Sequence, residues 1–385
     1  MSSRFQVRLR NPVTGLLTAV LEDAGGFQSL SIGSSVNGVG EGVLTLDGED
    51  SRVALFVLDA VVEVWRANFE LALPWYKEAV GLHRTQTRQS TQQGKKSFTS
   101  YFALPNDFLA RRIIAYKAKS AGAAKSGPAD NVMKAFVREN LGSLATTGNG
   151  RLATATLAGL TVQADSSLGP QWVGSRAYRG LHQVLEEMAG TTSVDFTIVH
   201  TGGVTWEFRT YYPQLGADRR HYSLDAFGKN PAGNTPVVFD SATSTLQNAV
   251  YSYNRRGEGN AVFALGQGED EDRQVREVQN AVAISASPWN RSEDSINASA
   301  DNPTAAQLDA AAAGKLVERQ ATEKLGFQVM QQPTRFYGKH YFLGDRVTAI
   351  YEGMEVSKKI TGIRLKVDAG VQDGEEISVE VEDVA

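Results

Sequence analysis

The chain of 385 residues contains no cysteine. That removes disulfides, thiol nucleophiles and thiolate metal sites, and it leaves every redox compartment open. Proline is scarce, with 11 residues against 37 glycines, so tight turns rather than stiff Pro-rich linkers punctuate the chain. No apolar run reaches the roughly 18 residues of a membrane-spanning helix. The opening MSSRFQVRLRNP has no apolar centre, so no secretory signal is expected. Basic residues are not in excess: the formal net charge is −4, whereas a general nucleic-acid binder needs clustered Lys and Arg to displace counterions. The short clusters Arg111-Arg112, Lys117 to Lys119, Arg219-Arg220 and Arg255-Arg256 read as solvated faces or ion-pair partners. What remains is an ordinary globular composition, 42% hydrophobic and 21% charged. The length exceeds one ordinary core and calls for two to four domains.

Residues 1–103 read as β-structure. Phe5, Val7 and Leu9 alternate with polar partners, Val43 to Leu46 do so in part, and Val61 to Arg66 is dense in β-branched and aromatic residues. Glycines at Gly25-Gly26, Gly38 to Gly42 and Gly48 divide the strands, Lys96 to Ala103 closes the region, and a compact barrel or sandwich would bury them. From Leu104-Pro105-Asn106-Asp107 the pattern turns helical. One helix carries Phe108, Leu109, Ile113 and Ile114; a second carries Ala129, Val132, Met133, Phe136, Val137 and Leu141 and stops at Gly142. Residues 142–169 read as irregular with one strand near Gly159 to Gln163. A third helix places Ala177, Leu181, Val184, Leu185 and Met188 on one face and ends at Gly190. A hairpin follows, Val194, Phe196 and Ile198 turning at Thr201-Gly202-Gly203 into Val204, Trp206 and Phe208. Residues 216–235 read as a polar loop, and strands resume at Val237 to Phe239, Ala249 to Asn254 and Ala261 to Leu265. A last helix, 305–325, is announced by the capping box of Thr304 and Gln307 and ended by Gly326. Three strands are expected in 337–367, with turns at Leu343-Gly344-Asp345 and Glu352-Gly353, and a final one in which Ile377, Val379 and Val381 alternate with Glu376, Ser378, Glu380 and Glu382.

Candidate chemistry is thin. Of the histidines His83, His182, His200, His221 and His340, only His182 has a helical neighbour of interest, Glu186, and no second histidine completes a metalloprotease pattern. The acidic run Glu269 to Asp272 offers clustered oxygens for a hard cation but lacks the spacing of a calcium loop. Gly266-Gln267-Gly268 is a weak phosphate-loop echo. No glycine-flanked serine elbow is present. A carboxylate pair serving a glycosidase is compatible with 43 acidic residues, and Trp65, Trp75 and Tyr76 suit either a sugar platform or the cap of the N-terminal core. No catalytic, cofactor-binding or metal residue is therefore singled out, and no enzyme or cofactor is expected.

The order of several segments carries more. VLTLDGED, AVVEVWR, ALPNDFLARRII, SGPADNVMKAFVRENL, WEFRTYYPQLGADRR, GNAVFALGQGEDEDRQV, SPWNRSED and KHYFLGDRVTAIY follow one another in a sequence that resembles the tail hub (baseplate hub) proteins of siphophages, related in fold to the hubs of contractile tails. The Ala/Gly/Thr-rich stretch 142–169 matches nothing in that pattern. The resemblance implies a mainly β fold with α+β insertions: two tube-like antiparallel β-barrel or sandwich domains, 1–103 (completed by strands near 194–212) and 236–385 (containing helix 305–325), around a helical, mixed middle domain, 104–235. It implies a structural homotrimer at the virion tail tip that closes the tail tube and adapts six-fold to three-fold symmetry. Its partners would be the distal tail or tube ring, the tape measure protein and fibres or spikes, with double-stranded DNA passing through a lumen that an acidic wall keeps from sticking. The chain ends soon after Val381, without the lysozyme or peptidase module that some hubs append, so that activity is not expected. A cell-wall hydrolase and a host-glycan-binding module are the alternatives from other classes.

Overall fold

A computed structural model describes residues 3–243, 245–268, 270–297, 303–369 and 374–383. Contacts divide the chain into two compact units, Met1–Ala249 with Gly326–Ala385, and Val250–Leu325.

The N-terminal strands are β1 (Arg4–Arg10), β2 (Leu17–Glu22), β3 (Ser29–Ser35), β4 (Glu41–Asp47), β5 (Val61–Asn68), β6 (Leu73–Ser90) and β7 (Lys96–Ala103). The alternation expected for Phe5, Val7 and Leu9 is realised, all three being buried. β5 is buried on both faces. One face shares the core of the following residues: Val61, Val80 and Leu82 pack in one cluster with Phe108, Phe136, Leu185 and Trp206.

Next come α1 (Asp107–Ala110), β8 (Ala123–Pro128), α2 (Ala129–Asn140), β9 (Leu160–Val162), β10 (Gln171–Arg176), α3 (Leu181–Thr192), β11 (Asp195–Gly202) and β12 (Thr205–Tyr211). α2 and β9 lie where the pattern placed them. α1 is only one turn long. Ile113 and Ile114 leave it to bridge Gly180 and to bond Arg179 O, so tertiary pairing overrides the helical spacing. α3 starts after Ala177 and runs through Gly190, ending where Ser193 adopts φ 55. The β11–β12 hairpin pairs with β9 in a separate three-stranded sheet rather than with the N-terminal strands.

β13 (Val238–Asp240) and β14 (Leu246–Asn254) follow, then β15 (Ala261–Leu265), β16 (Val275–Gln279), α4 (Ala281–Ser285), β17 (Glu293–Asn297) and α5 (Ala305–Glu318). α5 has the expected capping box but stops at Glu318, not near Gly326. Thr322–Val329 is instead β18, because Phe327 and Val329 alternate into a core at strand spacing. The second unit has a small core of Val262, Ala264, Leu308 and Ala312.

The chain closes with β19 (Arg346–Tyr351), β20 (Met354–Asp368) and β21 (Glu375–Asp383). Glu352 and Gly353, at φ 51 and 79, make the hairpin turn between β19 and β20. The strand expected at 337–342 is a loop, Tyr337 and Tyr341 meeting only as an isolated bridge.

The fold is mainly β, built around a 13-stranded mixed sheet in the order β14-β18-β21-β20-β3-β4-β7-β6-β5-β1-β2, with β19 and β13 branching from β20. Among the described residues this path is open, so of the barrel or sandwich expected from the sequence no closed barrel is seen. The pairing β3–β20 (Leu30 opposite Val367, Ile32 opposite Leu365) joins the two ends of the chain in one sheet.

Candidate functional site

The most elaborate polar arrangement ties β5 and β6 to the loop at Phe336–Gly338 and to the start of β21. Arg66 on β5 is fully buried. Its guanidinium donates to Tyr337 O at 2.9 Å, to Tyr76 Oη at 3.0 Å and to the Glu375 carboxylate of β21. Tyr76 donates to Glu78 at 2.7 Å, Tyr337 donates to the other Glu78 oxygen at 2.8 Å, and the Phe336 ring lies 4.7 Å from the guanidinium. Burial works against the charge on Arg66, but Glu375 and Glu78 outweigh it and hold the guanidinium well above its ordinary pKa. Burial likewise pushes Tyr76 and Tyr337 up, so both stay neutral donors. Gly338, at φ 84, lets the loop approach: a Cβ there would stand 2.2 Å from Tyr76 Oη. A buried cation with this many acceptors is a structural joint, fixing one register of loop on sheet.

A second joint centres on Asn37, between β3 and β4. Its amide accepts from Phe196 N at 2.7 Å and donates to Asp195 at 2.9 Å, while its carbonyl accepts from His182 Nε2 at 2.8 Å. Asp195 also accepts from Leu215 N and Lys359 Nζ, each at 2.6 Å. A third joint is Glu63, which accepts from Arg10 at 2.8 Å and Trp65 at 3.0 Å. Nearby, Lys77 Nζ donates to His200 Nδ1 at 2.9 Å. An ammonium can only donate, so the imidazole proton sits on Nε2, facing Gly203 O at 3.1 Å. Burial lowers the His200 pKa accordingly.

His182, Trp65 and Trp75, weighed in the sequence, make packing and pairing contacts. His182 pairs with Glu186 at 3.2 Å and anchors Asn37. Trp65 lies under Arg8, whose guanidinium is 4.1 Å from the ring, and Trp75 meets Phe69 edge-on. Gly266 to Gly268 form the turn of the β15–β16 hairpin, where Gly266 N donates to Gln274 O and Gln267 O accepts from Gln274 N. Glu269 lies outside the described residues; Asp270–Asp272 form one 3-10 turn, and no group of three metal-ligating side chains converges among the described residues. One pair escaped the sequence reading: His83 Nδ1 and Ser100 Oγ are 2.7 Å apart on neighbouring strands. Both are buried, burial lowers the His83 pKa, and Ser100 presents no face to a substrate. Their separation of 17 residues carries no local signal.

Opposite the core, β3, β4, β20 and β21 share a polar face. A shallow groove of about 460 Å³ runs over Gly33, Ser35, Glu41, Arg364, Lys366 and Glu380. Arg364 stands between Gly33 and Ser378, and Lys366 between Ser31 and Glu376. Glu41, Asp368, Glu376 and Glu380 outnumber the two cations.

Residues 10–379 match the family described as siphovirus ReqiPepy6 Gp37-like protein. The chain belongs to that phage tail protein family. No curated protein matches it. Among solved structures it is similar to the tail protein from Neisseria meningitidis MC58, at 12% identity and TM-score 0.58, covering 100% of this chain and 97% of that one. It is also similar to the 43 kDa tail protein of prophage MuSo2 from Shewanella oneidensis, at 11% identity, TM-score 0.55 and coverage of 99% and 97%. A third likeness is prophage tail protein gp18 from Listeria monocytogenes EGD-e, at 9% identity, TM-score 0.53 and coverage of 98% and 94%. At such identities the likeness speaks for the fold. Family membership makes this a structural protein of the virion tail.

Proposed function

We propose that the chain is the hub of the tail tip: three copies close the tail tube, and each contributes two tube-like strand sets, 1–103 and 236–385, to a six-fold ring, with 104–235 as a decorating region. The observation that carries this reading is the β3–β20 pairing, which sets the N-terminal and C-terminal strands side by side in one sheet with a common polar face. Small and acidic side chains on that face suit a lumen wall past which DNA and the tape measure slide, because like charge repels phosphate and short side chains leave few contacts. The distal tail or tube ring and the fibres or spikes would bind the rims. Cryo-EM of isolated tails tests the reading directly. Three copies at the tip, with Glu376 and Arg364 facing the channel, are expected. A single copy per tail, or a location along the outside of the tube, overturns it.

A further inference from the structure

The loop 216–235 is irregular yet tightly pinned. Buried Asn230 donates to Asp218 O at 2.9 Å and Arg220 O at 3.2 Å, and Asn234 donates to Asp218 O at 3.0 Å. At the tip, Asp225 Oδ1 accepts from Phe227 N at 2.9 Å and Lys229 N at 2.8 Å. On this frame Phe227 is 88% exposed, with Tyr222 and Leu224 exposed beside it. An aromatic ring held in water by a loop with so many internal bonds is a preorganised anchor, since docking it orders little further chain.

Elsewhere on the same unit an open cleft of about 810 Å³ lies between the β1–β2 turn and α1. Buried Val61, Leu82, Phe108 and Trp206 line it, and Val13 and Leu58, 84% and 73% exposed, are at its rim. Arg84, Arg111 and Arg112 also line it. Arg84 is tied to Asp59 and Asp107, while Arg112 has no ion-pair partner among the described residues. None of the loop's residues lines the cleft.

We propose that Phe227 of one copy seats in this cleft of the next copy, a head-to-tail contact between unlike patches of identical chains. The chemistry matches in kind: an apolar floor takes the ring, guanidinium groups favour an aromatic face, and the second carboxylate oxygen of Asp225, unused within the loop, meets the arginines. Contacts between unlike patches close into rings when their rotation closes. The inference therefore rests on the ring-forming hub reading and names the surfaces that would build it.

The absence of cysteine makes the test clean. Tails assembled from a Phe227→Cys, Leu58→Cys double variant are oxidised and run on a non-reducing gel, with each single variant as control. A covalent ladder ending at three copies is expected from the double variant alone. A ladder running past three supports the contact and overturns the three-copy hub; no ladder from tails that contain the chain overturns the contact and leaves the hub reading standing. As a second arm, Phe227→Lys should meet the cleft arginines and lower incorporation into tails at least tenfold, and Leu58→Glu on the same chain should restore it in part. Normal incorporation of Phe227→Lys overturns the proposal.

Discussion

The two units solve the same problem with different means. The larger one buries charge: Arg66 between Glu375 and Glu78, Glu63 against Arg10, and Lys134 on Asp130 at 3.1 Å, both fully buried. The smaller one, 250–325, buries a handful of small and aliphatic side chains under α5 and keeps its ion pairs outside, as in Arg276–Asp309 at 2.7 Å and Arg291–Glu277 at 2.6 Å. Surface pairs of that kind contribute about 0–1 kcal/mol each. A buried pair adds little over an apolar substitute but is costly to break, so it makes one arrangement of strands and loops the only tolerable one. The larger unit is thus built for a defined register across distant parts of the chain. The smaller one is built as an ordinary, thinly covered sheet and helix.

The sharpest way to break that comparison is Arg66→Met. It strands Glu375 and Glu78 in the core and should cost about 3–5 kcal/mol, read as a lower urea midpoint of the purified chain. A loss below about 1 kcal/mol would show that the joint does not hold the sheet ends together. Next, Leu308→Ala should cost about 2–4 kcal/mol within 250–325 alone, so limited proteolysis should open that segment while the large unit stays resistant. Simultaneous cutting in both would mean the units fold as one. Leu316, only half-buried against the same core, should cost less than Leu308 under the same truncation.

Asn37→Ala removes a partner from Asp195 and from Phe196 N, which should cost about 1–3 kcal/mol and speed hydrogen exchange at Phe196 before the rest of its strand. The histidines add a pH dependence. Burial lowers both His83 and His200 below the ordinary 6.5, so the unfolded chain binds protons first. Stability is therefore full above pH 6.5 and lost as pH falls through the folded-state values. Denaturation midpoints at a series of pH values should show this slope, and His83→Gln or His200→Gln should make it shallower. Smallest of all, Lys315→Ala removes a surface pair with Glu318 at 2.9 Å and should change stability by less than about 0.5 kcal/mol. A larger effect would move that helix face from solvent into a contact.

Legibility followed locality. The alternation in β1, β12 and β21, the capping box before α5 and the turn at Glu352-Gly353 were all readable, because each depends on neighbours a few residues away. The sequence predicts too long an α5 because Lys324 and Gly326 imitate a helix end, while the alternation of Phe327 and Val329 governs. The joints were not readable at all. Arg66 reaches Tyr337 across 271 residues and Asn37 reaches Phe196 across 159, and nothing in the spacing of either residue marks its partner.

The amino-acid order by itself determined which residues face inward, where the chain turns, and that no thiol chemistry is available, since period and composition act locally. Only the tertiary structure decided which strands lie side by side, that the two ends of the chain share one sheet, and that an exposed Phe227 and an arginine-lined cleft coexist on one unit. Strand alternation selects a face but not a neighbour, and the choice of neighbour is made by burial and by charges that must find partners across hundreds of residues.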